Sequence, residues 1–584
     1  MATVTTALLL AAVLVPLLLA AIVASVACLR GKSGLLIVLA PLPALALVAT
    51  GEAAVLDLPW LLLGARWGLD PTGRVFLGFT AGVWLAAGSY ARSYLAADRD
   101  RGSFDLCWLL ALAGNLGLIV ALDAISFLLC FALMSIAAYG LIIHDRKPAS
   151  LRAGRIYILM AVFAEIVLFW GALIAVLETG SLLLEAIHRQ LVHTPHRGLS
   201  VGLLLLGFGI KLGIMPVHVW LPLAHPAAPT PASAVLSGAM IKAGLLGWMR
   251  FLPPGEAALY DWGAAVSAIG LVTAFAGALI GLPQRDAKAA LAYSSVSQMG
   301  LVGALFGVAL MAPAAQGATG AALVLFAVHH GVAKAALFLG VGAAGAAGSP
   351  RERALAAAGL LVGAGSLAGL PLTLGFAAKS ALKAAGETAP EPWATVLAWL
   401  LPLTGVTTAL LLGRFLYLAW PHGRSDRARG LPVPELGAYG LLVLAIPALA
   451  AALALAGGGA AGPFLPDLAG LGAALRPPLA AAAVAAVTLL VPALRRRVRQ
   501  LHVPAGDAVA VAERVARWCR RFPRPAAALR SAPAQRRAGR RRSIADLAPG
   551  LRRGERRLGT DEIAGAVGVA LTLAIVGLAL LSGL

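Results

Sequence analysis

This chain is poor in charge. Asp, Glu, Lys and Arg make up 12% of its 584 residues, against about 25% in soluble domains. That scarcity excludes an ordinary soluble fold. Cysteine is rarer still. Cys28, Cys107, Cys130 and Cys519 stand alone, without the paired spacing that metal or redox sites require. They read as small apolar fillers. The chain also lacks a dinucleotide fingerprint, a phosphate-binding loop, a metal-ligand set and a nucleophile triad. Chemistry by this chain alone is therefore not expected, and no cofactor is expected within it.

Apolar residues fill the space that charge leaves. They make up 60% of the chain, and mean hydropathy is +0.87. A membrane span takes about 20 largely apolar residues. Segmenting on that rule gives about sixteen helices: 6–29, 34–50, 72–94, 104–122, 124–143, 155–177, 198–217, 232–252, 262–282, 288–311, 317–345, 354–380, 393–420, 436–457, 477–494 and 563–584. The expected fold is an all-α polytopic membrane protein. Its apolar start lacks a basic flank and runs into the first span, so a retained helix is expected rather than a cleaved signal. Residues 1–100 supply the first helices, and 104–420 hold nearly all intramembrane ionisable groups. Residues 430–494 add two plain helices, 495–557 form a basic segment, and 563–584 a last span.

The net charge of +21 is concentrated. Between Arg495 and Arg557 lie nineteen arginines and four acids, Asp507, Glu513, Asp546 and Glu555. A cytoplasmic segment obeying the positive-inside bias, touching anionic lipid, explains this better than nucleic-acid binding. Within it, Asp507–Phe522 alternates apolar and basic residues at helical spacing, which suits a membrane surface or a partner helix. Placing Met1 outside puts the basic connections Arg30–Lys32, Arg92–Arg101, Asp145–Arg155, Gln284–Lys288, Arg351–Arg353 and His422–Arg429 in the cytoplasm. Ile187–Arg197 is the exception.

Against this background a few charges sit inside apolar runs. Lys211 lies within Val201–Met215, and Lys242 within the next run. A charge at the bilayer centre costs roughly 2.5–3.5 kcal/mol on insertion scales, so such residues mark ion or proton paths. In chain order the set is Glu165, Lys211, Lys242, His329, His330, Lys334, Lys379, Lys383 and Arg414. His330 and Lys334 share a helix face, as do Lys379 and Lys383. Lys383 and Arg414 suit snorkelling to an interface, and His329 suits packing or hydrogen bonding. Breaks are expected at Met215–Pro216 beside Lys211 and around Gly369–Pro371 before Lys379, the sign of repeated transporter units.

The segment KLGIMPVHVWLPLAHPAAPTPASAVLSGAMIKAGLLGWMRF resembles the signature of the antiporter-like membrane subunits of respiratory complex I. Its wording is most similar to the subunit of membrane-bound hydrogenases of the hydrogenase-4 and formate hydrogenlyase type. QRDAKAALAYSSVSQMG (284–300, with Asp286 and Lys288), HGVAKAALFLGVGA (330–343) and SLAGLPLTLGFAAK (366–379) follow in the family's order. The resemblance covers about 70–420 and extends to Mrp-type antiporters and some inorganic-carbon uptake complexes. It implies about fourteen core helices in two inverted repeats, here 104–252 and 262–420. It assigns a proton path to Lys211, Lys242, His330, Lys334 and Lys379; Asp286, Lys288, His329, Lys383 and Arg414 are secondary candidates read from the residues themselves.

One departure stands out. The family carries a Trp-Glu pair before Leu-Met-Ser, whereas this chain has Phe131 and Ala132 there. Either Glu165 supplies a relocated carboxylate, or the first half-channel is modified or idle. Phe326 also stands where the family has a histidine, for which His329 is a substitute. The expected function is a proton-translocating subunit of a redox-driven complex in a bacterial inner membrane. Its partners would be other membrane subunits and peripheral iron–sulfur, hydrogenase or dehydrogenase subunits. The alternatives are a cation/proton antiporter or carbon-uptake module, and a structural subunit with a degenerate channel.

Overall fold

A computed structural model describes residues 2–26, 33–421, 429–456, 468–492, 496 and 503–506. The amphipathic stretch Asp507–Phe522, most of the basic segment and the expected span 563–584 lie outside the described residues. The chain opens with α1 (Ala2–Ser25), α2 (Leu36–Leu39) and α3 (Leu42–Ala49). A hairpin of β1 (Val55–Leu58) and β2 (Ala65–Gly68) follows. Next come α4 (Pro71–Tyr94), α5 (Arg101–Val120), α6 (Ala124–Ile142), α7 (Pro148–Thr179), α8 (Leu184–Gln190) and α9 (Arg197–Leu212). The middle comprises α10 (Trp220–Ala227), α11 (Thr230–Val235), α12 (Lys242–Phe251), α13 (Tyr260–Gly281), α14 (Ala287–Met311) and α15 (Gln316–Ala346). The last are α16 (Pro350–Ala368), α17 (Leu374–Gly386), α18 (Trp393–Ala419), α19 (Val433–Ala456) and α20 (Leu468–Leu490).

Eleven helical stretches among the described residues are long and apolar enough to cross a membrane. The protein is a multi-pass α-helical membrane protein. The remaining expected spans differ for local reasons. The run 34–50 divides into α2 and α3 at Ala40–Pro41, because proline has no N–H to continue the ladder. The runs 198–217 and 354–380 stop early at glycines discussed below. Residues 51–71 carry no expected span, and the hairpin fills them. It docks on the start of α6, where the Arg66 N–H donates to Asp123 Oδ2 at 2.9 Å.

Side-chain caps define several helix starts. Asp70 accepts from the Gly73 N–H, with Pro71 in the first turn of α4. Asp286 accepts from the Ala289 N–H at 2.8 Å to open α14. Ser349 and Glu352 form a reciprocal capping box on α16. The amides of Gly348 and Ser349 hold the Glu352 carboxyl below the usual carboxylate range.

Burial sorts the helices into centre and rim. The hydropathic windows of Ala287–Met311, Thr230–Phe251 and Pro313–Ala346 are 100%, 94% and 83% buried, so α11, α12, α14 and α15 form the middle. By contrast α7 presents Leu159, Phe163, Phe169 and Trp170 outward, as a lipid-facing rim helix does. α13 and α14 pack along small residues, which let backbones approach closely. A Cβ at Gly270 would stand 2.4 Å from the Ala304 backbone nitrogen, and one at Gly300 equally close to that of Ala274. Gly270→Ala should therefore cost about 1–3 kcal/mol through overpacking. Thermal unfolding of the purified chain in detergent checks this: Gly270→Ala lowers the midpoint, while Gly413→Ala, with nothing within 4 Å of its added Cβ, leaves it unchanged.

Candidate functional site

The first helix break presents Lys211. α9 ends at Leu212 because Gly213 adopts the left-handed conformation, φ +76°. A short irregular stretch through Pro216 then leads to α10. Lys211 therefore lies in the last turn of α9, where the helix dipole favours a cation. It is only 5% exposed. Its ammonium donates to Ser135 Oγ at 3.1 Å and Tyr157 Oη at 3.3 Å. It also lies 5.5 Å from the Phe131 ring centre and 5.7 Å from that of Tyr157, within cation–π range. Phe131, one member of the replaced pair, is thus part of the wall around the lysine.

Glu165 faces the same place. It lies two turns beyond Tyr157 on α7, on the same side of the helix. Its carboxylate interacts with the Ser135 side chain and electrostatically with Lys211. Its Oε1 is buried and has no hydrogen-bond partner. A cavity of ≈ 10 Å³ beside Lys211 is lined by Phe131, Ser135, Tyr157 and Trp220, about the space one water needs. The acid is missing at Ala132, yet a carboxylate is in reach from another helix.

The central groups form a second cluster. Residues Leu236–Met240 make a π-helical turn just before α12, a distortion frequent at functional sites. Lys242, 1% exposed, donates back to the Ser237 carbonyl. Ser237 Oγ pairs with Ser295 Oγ of α14 at 2.8 Å, and Ser295 Oγ donates to the Leu291 carbonyl at 3.3 Å. That same carbonyl accepts from Lys334 Nζ at 2.7 Å. Lys242 and Lys334 are thereby tied to one serine pair. His330 lies one turn from Lys334, fully buried, within electrostatic reach of both lysines.

The second break brings in Lys379. α16 ends at Gly369, φ +85°, and α17 begins at Leu374 after Pro371 and Leu372. From α17 the half-buried Lys379 reaches back to the Ala368 carbonyl at 3.1 Å. His329 connects this break to the centre. Its Nδ1 lies 3.3 Å from Ser366 Oγ, and the ring is in electrostatic reach of both Lys379 and Lys242.

The secondary residues divide. Lys288 Nζ donates to the Ala228 carbonyl at 2.8 Å, while the exposed Asp286 caps its helix. Lys383 is exposed and faces Glu387 at 3.9 Å. Arg414 donates to the Gln284 carbonyl at 3.0 Å and stands over the Tyr417 ring. Lys383 and Arg414 thus stand apart from the cluster. Ser135, Tyr157, Ser237 and Ser295 escaped the sequence reading, as did His225. Fully buried, His225 stacks on Phe338 at 4.4 Å in electrostatic reach of Lys334, Lys288 and Lys242. Its position in the proline-rich LPLAHP segment was the available signal.

Two broken helices each present a lysine, Lys379 near a buried Lys–His centre and Lys211 in a separate pocket with Glu165, in a multi-pass bundle like that of antiporter-like membrane subunits. Residues 121–401 match the family described as "NADH:quinone oxidoreductase/Mrp antiporter, TM", and the chain is similar to the antiporter-like subunits of that superfamily. It is 33% identical to hydrogenase-4 component B of Escherichia coli over 268 residues, 44% of this chain and 39% of that one. It is 32% identical to a putative antiporter subunit of Staphylococcus saprophyticus over 315 residues, 50% of this chain and 39% of that one. The matches thus span about two fifths of the length of these relatives. Its fold matches a chain in the structure of the Mrp complex from Dietzia sp. DQ12-45-1b, with a TM-score of 0.72 at 22% identity, covering 97% of this chain and 63% of that one.

The pairing of Glu165 with Lys211 has a thermodynamic signature. In a double-mutant cycle on thermal unfolding, Glu165→Gln and Lys211→Met should be non-additive by about 0.5–3 kcal/mol. Additive effects would show that the two side chains do not interact.

Proposed function

We propose that this chain translocates protons as one membrane subunit of a larger redox-driven complex in a bacterial inner membrane. The carrying observation is the tie of Lys242 and Lys334 to the Ser237–Ser295 pair. Two ammonium groups this close in an apolar interior repel each other strongly. A proton gained by one therefore favours release from the other, and the Ser237–Ser295 hydroxyl pair stands next to the two carbonyls that hold them. Histidine, which titrates near neutrality in its unperturbed state, suits the steps between. His329 extends the series to Lys379, and the Glu165–Lys211 pair forms a separate station at the first break. In this reading the chain carries no cofactor, the partners are other membrane subunits, and peripheral subunits supply the electrons.

A second reading, a module of a cation/proton antiporter, is favoured by the similarity to the Staphylococcus saprophyticus subunit. Sodium/proton exchange in sealed vesicles without an electron donor would support it over the first.

The first reading is tested in inverted vesicles energised through the native complex. Lys334→Ala and Lys379→Ala should each lower proton pumping by at least about tenfold, and intact pumping in both would refute it. Mass spectrometry of the purified complex identifies the subunits that drive it. Glu165→Gln should also impair pumping, and adding Ala132→Glu to it should restore much of the loss. No recovery would mean that the two positions do not perform the same task.

A further inference from the structure

A proton axis needs contact with solvent, and one buried carboxylate outside the groups above stands at its edge. Glu435, in the first turn of α19, is fully buried. Both its oxygens accept from Arg429 Nη2 at 2.8 Å, and the Arg429 side chain is 42% exposed. On the inner side Glu435 lies within electrostatic reach of Tyr90, near the end of α4, whose fully buried hydroxyl has no hydrogen-bond partner among the described residues. α4 and α19 pack directly against each other.

Tyr90 points into a notch in α15. A Cβ at Gly342 would stand 2.6 Å from Tyr90 Oη, 2.7 Å from the Thr230 methyl Cγ2 and 3.2 Å from Thr230 Oγ1. Only a residue without a side chain leaves these two hydroxyls facing one space. His330, Lys334, Phe338 and Gly342 recur every four residues, forming a stripe along α15. One turn inward from the notch, His225 stacks on Phe338, with both ring nitrogens buried and unpartnered. One turn further lies Lys334. Polar groups therefore lead from the half-exposed Arg429 through Glu435, Tyr90, Thr230 and His225 to the central lysines.

We propose that Glu435 and Tyr90 form the proton intake of the central lysine axis, at the end of the bundle bearing the basic connections Arg92–Arg101 and Gln284–Lys288. This rests on the proton-translocating reading above. The half-exposed Arg429 swings toward solvent and frees one carboxylate oxygen of the buried Glu435, which takes a proton from the water admitted there. Tyr90 accepts that proton at Oη while releasing its own hydroxyl proton inward. Neutral His225, or the neutral form of Lys334, ends protonated, and Tyr90 and Glu435 return to their starting states. A simple clamp between Arg429 and Glu435 would need neither the Tyr90 hydroxyl nor the open notch.

The full chain in liposomes, with pyranine trapped inside, tests this when a valinomycin-set potassium diffusion potential draws protons inward. Glu435→Gln and Tyr90→Phe should each slow acidification at least about tenfold, with Glu435→Asp retaining most of the flux. Tyr90→Phe leaves the Arg429–Glu435 pair in place, so it separates conduction from folding. Flux within about twofold of wild type in Tyr90→Phe, beside a silent Lys334→Ala control, would overturn the intake, whatever Glu435→Gln does. A Lys334→Ala chain conducting equally well, or a wild-type chain silent both alone and in the energised native complex, would instead refute the translocation reading beneath it.

Discussion

A buried ammonium group must find an acceptor, and in this protein the acceptor is repeatedly a main-chain carbonyl. Lys242 donates to Ser237, Lys288 to Ala228, Lys334 to Leu291 and Lys379 to Ala368. A regular helix already engages its carbonyls, so three of these four acceptors lie where the helix is interrupted. Ser237 is in the π-helical turn, Ala228 lies between α10 and α11, and Ala368 is the last residue of α16. Breaks in lipid are tolerated only where protein or a cavity surrounds them. The interrupted elements are accordingly held against the central helices α14 and α15, and the bundle around them follows from that need.

Lys211 solves the same problem differently. It sits at the end of α9, yet its partners are hydroxyls, aromatic faces and the Glu165 carboxylate. Phe131 gives the cation a ring where the family has a Trp-Glu pair, and Glu165 approaches from α7. The two breaks are therefore chemically unequal. The first holds its lysine with an acid and aromatic rings, the second with the carbonyl end of a half-helix.

Much of this was legible because a charge in an apolar run is conspicuous. Lys211, Lys242, Lys334 and Lys379 stood out for that reason, and the breaks were visible as Gly–Pro interruptions beside two of them. The hydroxyl partners were not. Serine and tyrosine are unremarkable in helices, and Ser135 and Tyr157 lie 76 and 54 positions from Lys211. Glu435 was hidden for a related reason. It sits at the start of a helix, where acids are ordinary, and only packing against α4 gives it a buried position beside Tyr90.

The amino-acid sequence by itself determined the membrane class, the helical repertoire and the positions of the costly charges, because hydropathy and helix-breaking residues act over a few turns of chain. Which groups meet was decided only by tertiary structure. Glu165 and Lys211, Lys242 and Lys334, or Tyr90 and Glu435 come from helices far apart in the chain. The physical reason is range: the transfer cost of a charge is a local property of its segment, whereas its compensation depends on which helix face packs against it.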